Sequence, residues 1–231
     1  EDLKNIRTNL LDMNEMRGLP HSTPLTVQGD CRYNNALGSG AGKTLFQPAT
    51  QAVYTIVENM TSDKKIICIN CKNKLCTTAE KLRNMGEEIT CPDHKGHCTA
   101  NIPQDHTIGD EKTWAAECAK GLITSKRERL NINFFISDGD SQAFEGIKKV
   151  QEESNSHIRI EHFRDTRHMA NSQRLMVKKV NFSEKMFPKK RKDVREKLQN
   201  RFALELAQRC GAEFNACFDK YEGNCAQMTK S

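Results

Sequence analysis

The chain has 231 residues, room for one large domain or two small ones. Apolar residues make up 36% and charged residues 29%, so a core can form beneath an extensively solvated surface. No run approaches the ~18 apolar residues that a membrane span needs, and the opening EDLKNIRTNL lacks a signal-peptide pattern, so no membrane partner is expected. The net charge of +6 permits an anionic partner such as nucleic acid without requiring one. The 10 cysteines cluster partly with histidines, which favours metal in a reducing compartment over disulfides. The chain starts without Met inside a helix-like segment, and we expect it to be a piece of a longer protein.

Residues Asp2 to Arg17 place Leu3, Ile6, Leu10, Leu11 and Met13 on one side of an amphipathic helix that stops before Gly18 and Pro20. A short strand is predicted from Leu25 to Gln28, closed by Gly29 and Asp30. Gly42-Lys43-Thr44 imitates the end of a phosphate-binding loop. That motif needs a Gly where Leu37 stands, and Pro48 follows where a helix should, so a Gly-rich connection is the expected reading of residues 36–49. QAVYTIVEN (51–59) and KKIICIN (64–70) read as strands with a turn from Met60 to Asp63 between them. Three strands with short joins predict an antiparallel meander.

Residues 68–99 hold seven possible metal ligands: Cys68, Cys71, Cys76, Cys91, His94, His97 and Cys98. Zinc takes four sulfur or nitrogen ligands in a tetrahedron, and short-spaced ligands on either side of a loop are the usual supply. Cys91, Cys98 and one of the two histidines form one half. Cys76 or the Cys68/Cys71 pair would complete it. Free thiols in a reduced protein are the plainer alternative.

IGDEKTWAAECAKGLITSKRERL predicts a helix with Trp114, Cys118, Leu122 and Ile123 on one stripe, and the Trp reads as a core anchor. The run Ile132, Phe134, Phe135, Ile136 then reads as a strand buried on both faces. It breaks at Ser137-Asp138-Gly139-Asp140, and a helix follows with Phe144, Ile147 and Val150 at helical spacing. Asp138 and Asp140 could simply cap that helix. Placed where a strand ends in an open α/β sheet, they could instead hold a divalent cation. SHIRIEHFRD (156–165) predicts a strand, TRHMANSQRLMVKKVNF a helix, and residues 189–223 one long helix after a break at Ser183 to Pro188. The basic run Lys189 to Lys192 opens that helix, where positive charge is unfavourable. A solvated helix end and a contact with phosphates both explain it.

Three antiparallel strands, then strands alternating with helices, is the ribonuclease H-like arrangement. The expected fold is therefore an α/β, mixed five-stranded sheet with flanking helices. It would be a single domain over 1–231, with a zinc-binding insert at 68–99 and a helical segment at 183–231. In that arrangement the first strand is central and lies beside the fourth, so Asp30 and Asp138 would end side by side. Neighbouring carboxylates repel unless a cation sits between them. With a third acid they can hold two Mg²⁺ ions, which activate a water or a 3′-hydroxyl and stabilise the leaving oxygen in phosphodiester cleavage.

GDCRYNN, GKTLFQPATQAVY, NKLC, CPDHKGHCTANIP, FISDGDSQAFEGI, DTRHMANSQ, NFSEKMFP and RCGAEF together resemble successive blocks of the Mutator-like transposase domain of invertebrate genomes, a DDE-type transposase. The blocks run in order from about Val27 to Gly223. The resemblance implies a ribonuclease H-like catalytic core that cuts and joins DNA at transposon ends with Mg²⁺ or Mn²⁺. Its partners would be terminal inverted repeats and target DNA, met by a homo-oligomer in the nucleus. It implies Asp30 as first acid and Asp138 as second, with Asp140 the alternative. Asp165 and His168 match a Cys-or-Asp, two residues, His element of the family. Glu213 in RCGAEF is the expected third acid, with Glu205 or a residue past Ser231 as alternatives. The resemblance also carries a Cys/His insert before the second acid, holding structural Zn²⁺ through ligands drawn from Cys76, Cys91, His94, Cys98, Cys68 and Cys71. A domesticated, inactive relative that binds DNA or protein and keeps the zinc site is the alternative function.

Overall fold

Alternating burial along five segments builds the sheet. The computed structural model describes residues 2–35, 49–92, 94, 97–125, 127–139, 141–154, 157–180 and 189–221. Its strands are β1 (Leu25–Tyr33), β2 (Gln51–Glu58), β3 (Ile66–Asn73), β4 (Ile132–Ser137) and β5 (Glu161–Arg164). They lie in the order β3-β2-β1-β4-β5. β1 pairs antiparallel with β2, β2 antiparallel with β3, and β1 parallel with β4. The helices are α1 (Leu3–Met16), α2 (Thr77–Asn84), α3 (Glu111–Ile123), α4 (Ser141–Glu153), α5 (Thr166–Lys179) and α6 (Lys192–Lys220). The expected mixed five-stranded sheet is present, with the first strand central and next to the fourth. Among the described residues no helix is long and apolar enough to cross a membrane.

Cross-strand partners share a face, so the register sorts the side chains. Val27, Gly29, Cys31, Tyr54, Ile56, Cys68, Asn70 and Phe135 share one face. α3 covers it. The Asn70 amide donates to the Trp114 carbonyl at 3.2 Å, and the Cys68 thiol lies 3.8 Å from the Cys118 carbonyl. Trp114, Cys118, Leu122 and Ile123 are all buried there, as the stripe on α3 predicts. Thr26, Gln28, Asp30, Val53, Thr55, Ile69, Phe134 and Ile136 share the opposite face. On that face Val53 and Ile69 remain exposed and Phe134 and Ile136 are half-buried. β4 is thus fully buried on one face only, a correction to the two-sided burial expected from its apolar run.

α4 crosses α3 closely at Gly146. A Cβ there would stand 2.1 Å from the Lys112 carbonyl oxygen, so only glycine lets the two backbones approach. Five residues further along α4, buried Gln151 turns its amide back on the sheet. It donates to the carbonyls of Ile132 and Ile158, both at 2.8 Å, and accepts from the Ile132 N–H at 3.2 Å. One side chain therefore satisfies backbone groups at the start of β4 that would otherwise be buried without partners. The β2–β3 hairpin is closed the same way. Glu58, fully buried, accepts from the N–H groups of Met60 (2.7 Å), Thr61 (2.9 Å) and Lys65 (3.0 Å) and from the Thr61 hydroxyl. Burial works against the charged carboxylate, but these donors outweigh it and hold its pKa below the ordinary 4.5.

The strand and helix boundaries depart from expectation in three places. β1 runs to Tyr33 rather than stopping at Gln28, because its antiparallel pairing with β2 continues to the Tyr33–Ala52 pair. Asp30 therefore lies within a strand rather than closing one. β5 is only four residues long. A helix, α2, forms where no element is assigned from the sequence, its N-terminus capped by the Cys76 sulfur, which accepts from the Ala79 N–H at 3.4 Å. The phosphate-loop imitation and the break before the last helix lie outside the described residues. The chain forms two compact units, residues 1–163 and 164–231, each described here by itself. The second contains α5 and α6, which pack along each other.

Two substitutions check this account. Gly146→Ala should lower stability by about 1–3 kcal/mol through overpacking against the Lys112 carbonyl, seen as a lower urea midpoint at unchanged slope. Glu58→Gln should cost about 1–3 kcal/mol at pH 7. Because the folded pKa of Glu58 is depressed, its contribution is complete above 4.5 and is lost as pH falls through the folded value. The gap in urea midpoint between wild type and Glu58→Gln should therefore narrow below pH 4.5, and a gap independent of pH would refute an ionised role.

Candidate functional site

The parallel pairing of β1 with β4 sets the site. It runs through Thr26–Phe134, Val27–Phe135 and Gln28–Ile136. Asp30 and Asp138 each stand two residues beyond the Gln28–Ile136 pair. Side chains two apart on a strand return to the same face, so Asp30 shares the face opposite α3 with Gln28, while Asp138 directly follows the last residue of β4. Both are exposed. Asp30 accepts from the N–H of Cys31 at 2.9 Å and pairs across the strands with Thr55. Asp138 opens the turn to α4, which passes through Gly139 at φ +104°. That left-handed backbone suits glycine and lets β4 end sharply. Asp140 lies outside the described residues.

The opposite face fixes this strand end from below. Gly29 leaves room for its neighbours, since a Cβ there would meet the Tyr54 hydroxyl at 2.5 Å and the Phe135 ring at 2.7 Å. Burial pushes the Tyr54 phenol pKa up, keeping it neutral beside Asp30. Ser137, buried next to Asp138, places its Oγ 2.8 Å from His162 Nε2 and accepts from the Gly139 N–H at 3.4 Å. His162 is stacked against Phe144 with ring centroids 4.8 Å apart, and against Phe135 at 5.9 Å. The imidazole is thus wedged between β4 and α4, with its hydrogen bond directed at the residue before Asp138. Sequence reasoning passed over His162. The signal was there: Ile158 and Ile160 face inward at period two, and His162 takes the next inward position.

Asp165, His168, Glu205 and Glu213 lie in the second unit. Asp165 caps α5, accepting from the Arg167 N–H at 2.8 Å. His168 is exposed in the first turns of α5, rather than buried as a plain structural histidine would be. Glu213 is exposed on α6. Glu205 accepts from Arg201 Nε at 2.8 Å.

A second constellation is built on α2. Cys76, Cys91, His94 and Cys98 each offer a ligand atom, and these atoms lie within 4.8 Å of one another. Cys76 Sγ is 3.2 Å from His94 Nε2. Cys76, Ala79, Cys91 and Ala100 form a small core separate from the main one, with Ile89 and Cys98 packed against it. The cluster is primed for a cation. The Ala79 N–H and further backbone and side-chain donors pull the Cys76 thiol down to about 5, so it is a thiolate at neutral pH. Burial, with Cys76 and Cys91 beside it, pushes Cys98 up to about 11. Three sulfurs and an imidazole are the donor set zinc prefers. Cys68 and Cys71 are not part of this group. Both lie on β3, Cys68 buried against Cys118 and Cys71 exposed on the other face.

A comparison with protein families matches the Mutator-like transposase over residues 1–231. The chain belongs to the Mutator-like transposase family. No curated protein and no solved structure matches it. For a Mutator-like transposase, an enzyme class that acts on DNA, the chemistry available here is of two kinds. Asp30 within β1 and Asp138 after β4 offer exposed, hard oxygen ligands. The Cys/His cluster offers soft ligands beside a small core of its own, an arrangement that could bind zinc.

Proposed function

We propose that this chain is the catalytic domain of a DDE-type transposase, cutting and joining DNA phosphodiester bonds at transposon ends in the nucleus, as a homo-oligomer on those ends. The observation that supports the reading is the register of β1 on β4, from which Asp30 and Asp138 each stand two residues past the Gln28–Ile136 pair. Exposed carboxylate oxygens with room for water are the donor set that Mg²⁺ or Mn²⁺ takes. Bound divalent cations would supply charge stabilisation and an activated oxygen nucleophile for phosphodiester chemistry. Asp30 within β1 and Asp138 directly after β4 are tied to strands that cannot drift apart without breaking backbone pairs. Ser137 and His162 brace the turn that aims Asp138. Glu213 is the third acid of the proposal. Its exposed carboxylate favours it over Glu205, which is engaged with Arg201. Asp165 and His168 stand together at the start of α5, where His168 could orient a phosphate.

In the same reading Cys76, Cys91, His94 and Cys98 hold a structural Zn²⁺. Their separate small core supports a metal that stabilises residues 76–100 and leaves the sheet to its own packing.

Two experiments test these assignments. With Mn²⁺ or Mg²⁺, the full chain should nick supercoiled plasmid DNA. Asp138→Asn should slow this at least about a hundredfold, as the loss of several kcal/mol of charge stabilisation implies. The same substitution should weaken Mn²⁺ binding read by electron paramagnetic resonance, and equal binding by both proteins would sink the cation site. For zinc, Co²⁺ added to metal-free protein should give tetrahedral d–d bands with thiolate charge transfer. Cys76→Ser should abolish that spectrum and Cys71→Ser should leave it. A chelator should strip amide protection from α2 while β1 and β4 keep theirs.

A further inference from the structure

Charge is divided unevenly along the chain. Residues 1–163 carry 20 Lys/Arg against 22 Asp/Glu, a net charge of −2. Residues 164–231 carry 16 against 8, a net charge of +8. Most affinity for a nucleic-acid backbone is electrostatic. The unit that holds Asp30 and Asp138 is net negative and cannot supply it by its overall charge.

Within the second unit the positive charge gathers around a formed cleft. The end of α5 and the first two turns of α6 enclose about 480 Å³, lined by Lys178, Lys192, Arg195, Glu196, Gln199 and Asn200 among others. Gln199 builds its floor. Its amide donates to the carbonyls of Val177 at 2.7 Å, Lys178 at 3.3 Å and Val180, taking up groups that the end of a helix leaves without partners. This ties the end of α5 to α6 and holds the cleft walls. Among the described residues three cations and one carboxylate line it, and Lys179, Lys189, Lys190 and Arg191, all exposed, flank it. Arg191 has an ion pair to Asp193 at 3.2 Å, which leaves the excess positive. Like charges held this close repel, and a polyanion removes that repulsion while releasing its own counterions. Asn200 and the Lys/Arg side chains are the donors commonly found on phosphate oxygens.

We propose that the α5–α6 cleft binds the phosphodiester backbone of duplex DNA through Lys178, Lys192 and Arg195, without reading base sequence. The proposal rests on the chain acting on DNA and not on which acids hold cations.

The test measures binding of the full chain to a random-sequence duplex by fluorescence anisotropy across a KCl series. Wild type should show a steep log–log salt slope. The variant Lys178→Ala/Lys192→Ala/Arg195→Ala should bind at least about tenfold more weakly, with the slope reduced by about 2–3, since each phosphate contact contributes about 0.9. Lys4→Ala/Lys81→Ala/Lys120→Ala removes the same charge from the first unit and should change neither quantity by more than a small fraction. Lys178→Arg/Lys192→Arg/Arg195→Lys keeps the charge and should keep the slope, which guards against simple misfolding. Asp138→Asn should bind as wild type does, so loss of cleavage and loss of binding are told apart. An unchanged slope in the first variant would overturn the proposal. So would an equal loss in the first-unit control, or binding to anionic phosphatidylglycerol vesicles with none to DNA.

Discussion

The pairing of β1 with β4 is the constraint on which the rest of the structure depends. It joins residues more than a hundred positions apart through a parallel ladder, and parallel strands need a long crossover between them. Here the crossover carries α3, whose buried stripe covers the same face of β1, β2 and β3. The ladder and the helix therefore stabilise one another. Gly29 marks the tightest point, because any side chain there would strike Tyr54 and Phe135 together. A slip of β1 by one residue in this register would send Asp30 to the helix-covered face and Val27 out of it. The core thus specifies the position of the carboxylates as strictly as it specifies its own packing.

Polar groups hold the architecture at the places where packing cannot. Gln151 ends the backbone of β4 inside the protein, Glu58 closes the β2–β3 hairpin, and Gln199 closes the end of α5. Each is one side chain satisfying three backbone groups. Buried polar atoms so satisfied cost little, whereas any one left alone costs about 1–3 kcal/mol. The Cys/His cluster is different. Its sulfurs satisfy one another poorly: Cys76 is drawn toward the thiolate while Cys98 is pushed away from it. A divalent cation resolves that conflict where further protein groups do not.

Much of this was legible in the sequence, for identifiable reasons. The apolar stripe of α3, the Asp-Gly break after β4 and the run of three strands each follow a short period or a strong turn signal. They gave the strand order and put Asp30 and Asp138 on neighbouring strands. What escaped notice depends on tertiary pairing. The extension of β1 to Tyr33 exists because β2 offers partners, and nothing in GDCRY announces it. α2 begins at a cysteine, a residue without the usual capping signature, because its sulfur accepts from the backbone as Ser or Asp would. Seven candidate ligands between Cys68 and Cys98 could not be reduced by spacing. The strand pairing of β3 removed two, turning Cys68 into the core and Cys71 onto the open face, and the three-dimensional grouping of ligand atoms took His94 rather than His97.

The division of charge suits what the proposed cation site would require of its surroundings. Carboxylates that bind Mg²⁺ must stay ionised and open to water, so a strongly basic environment would compete for them through ion pairs. A net charge of −2 around Asp30 and Asp138 avoids that competition but repels a phosphate backbone. Attraction for the backbone is then best carried by other elements of the chain. Lysine and arginine on exposed helices serve that purpose at small structural cost, because their charges stay hydrated until a polyanion arrives. Segregating the two signs along the sequence would let one chain keep the proposed cation site and the proposed anion-binding surface without either neutralising the other.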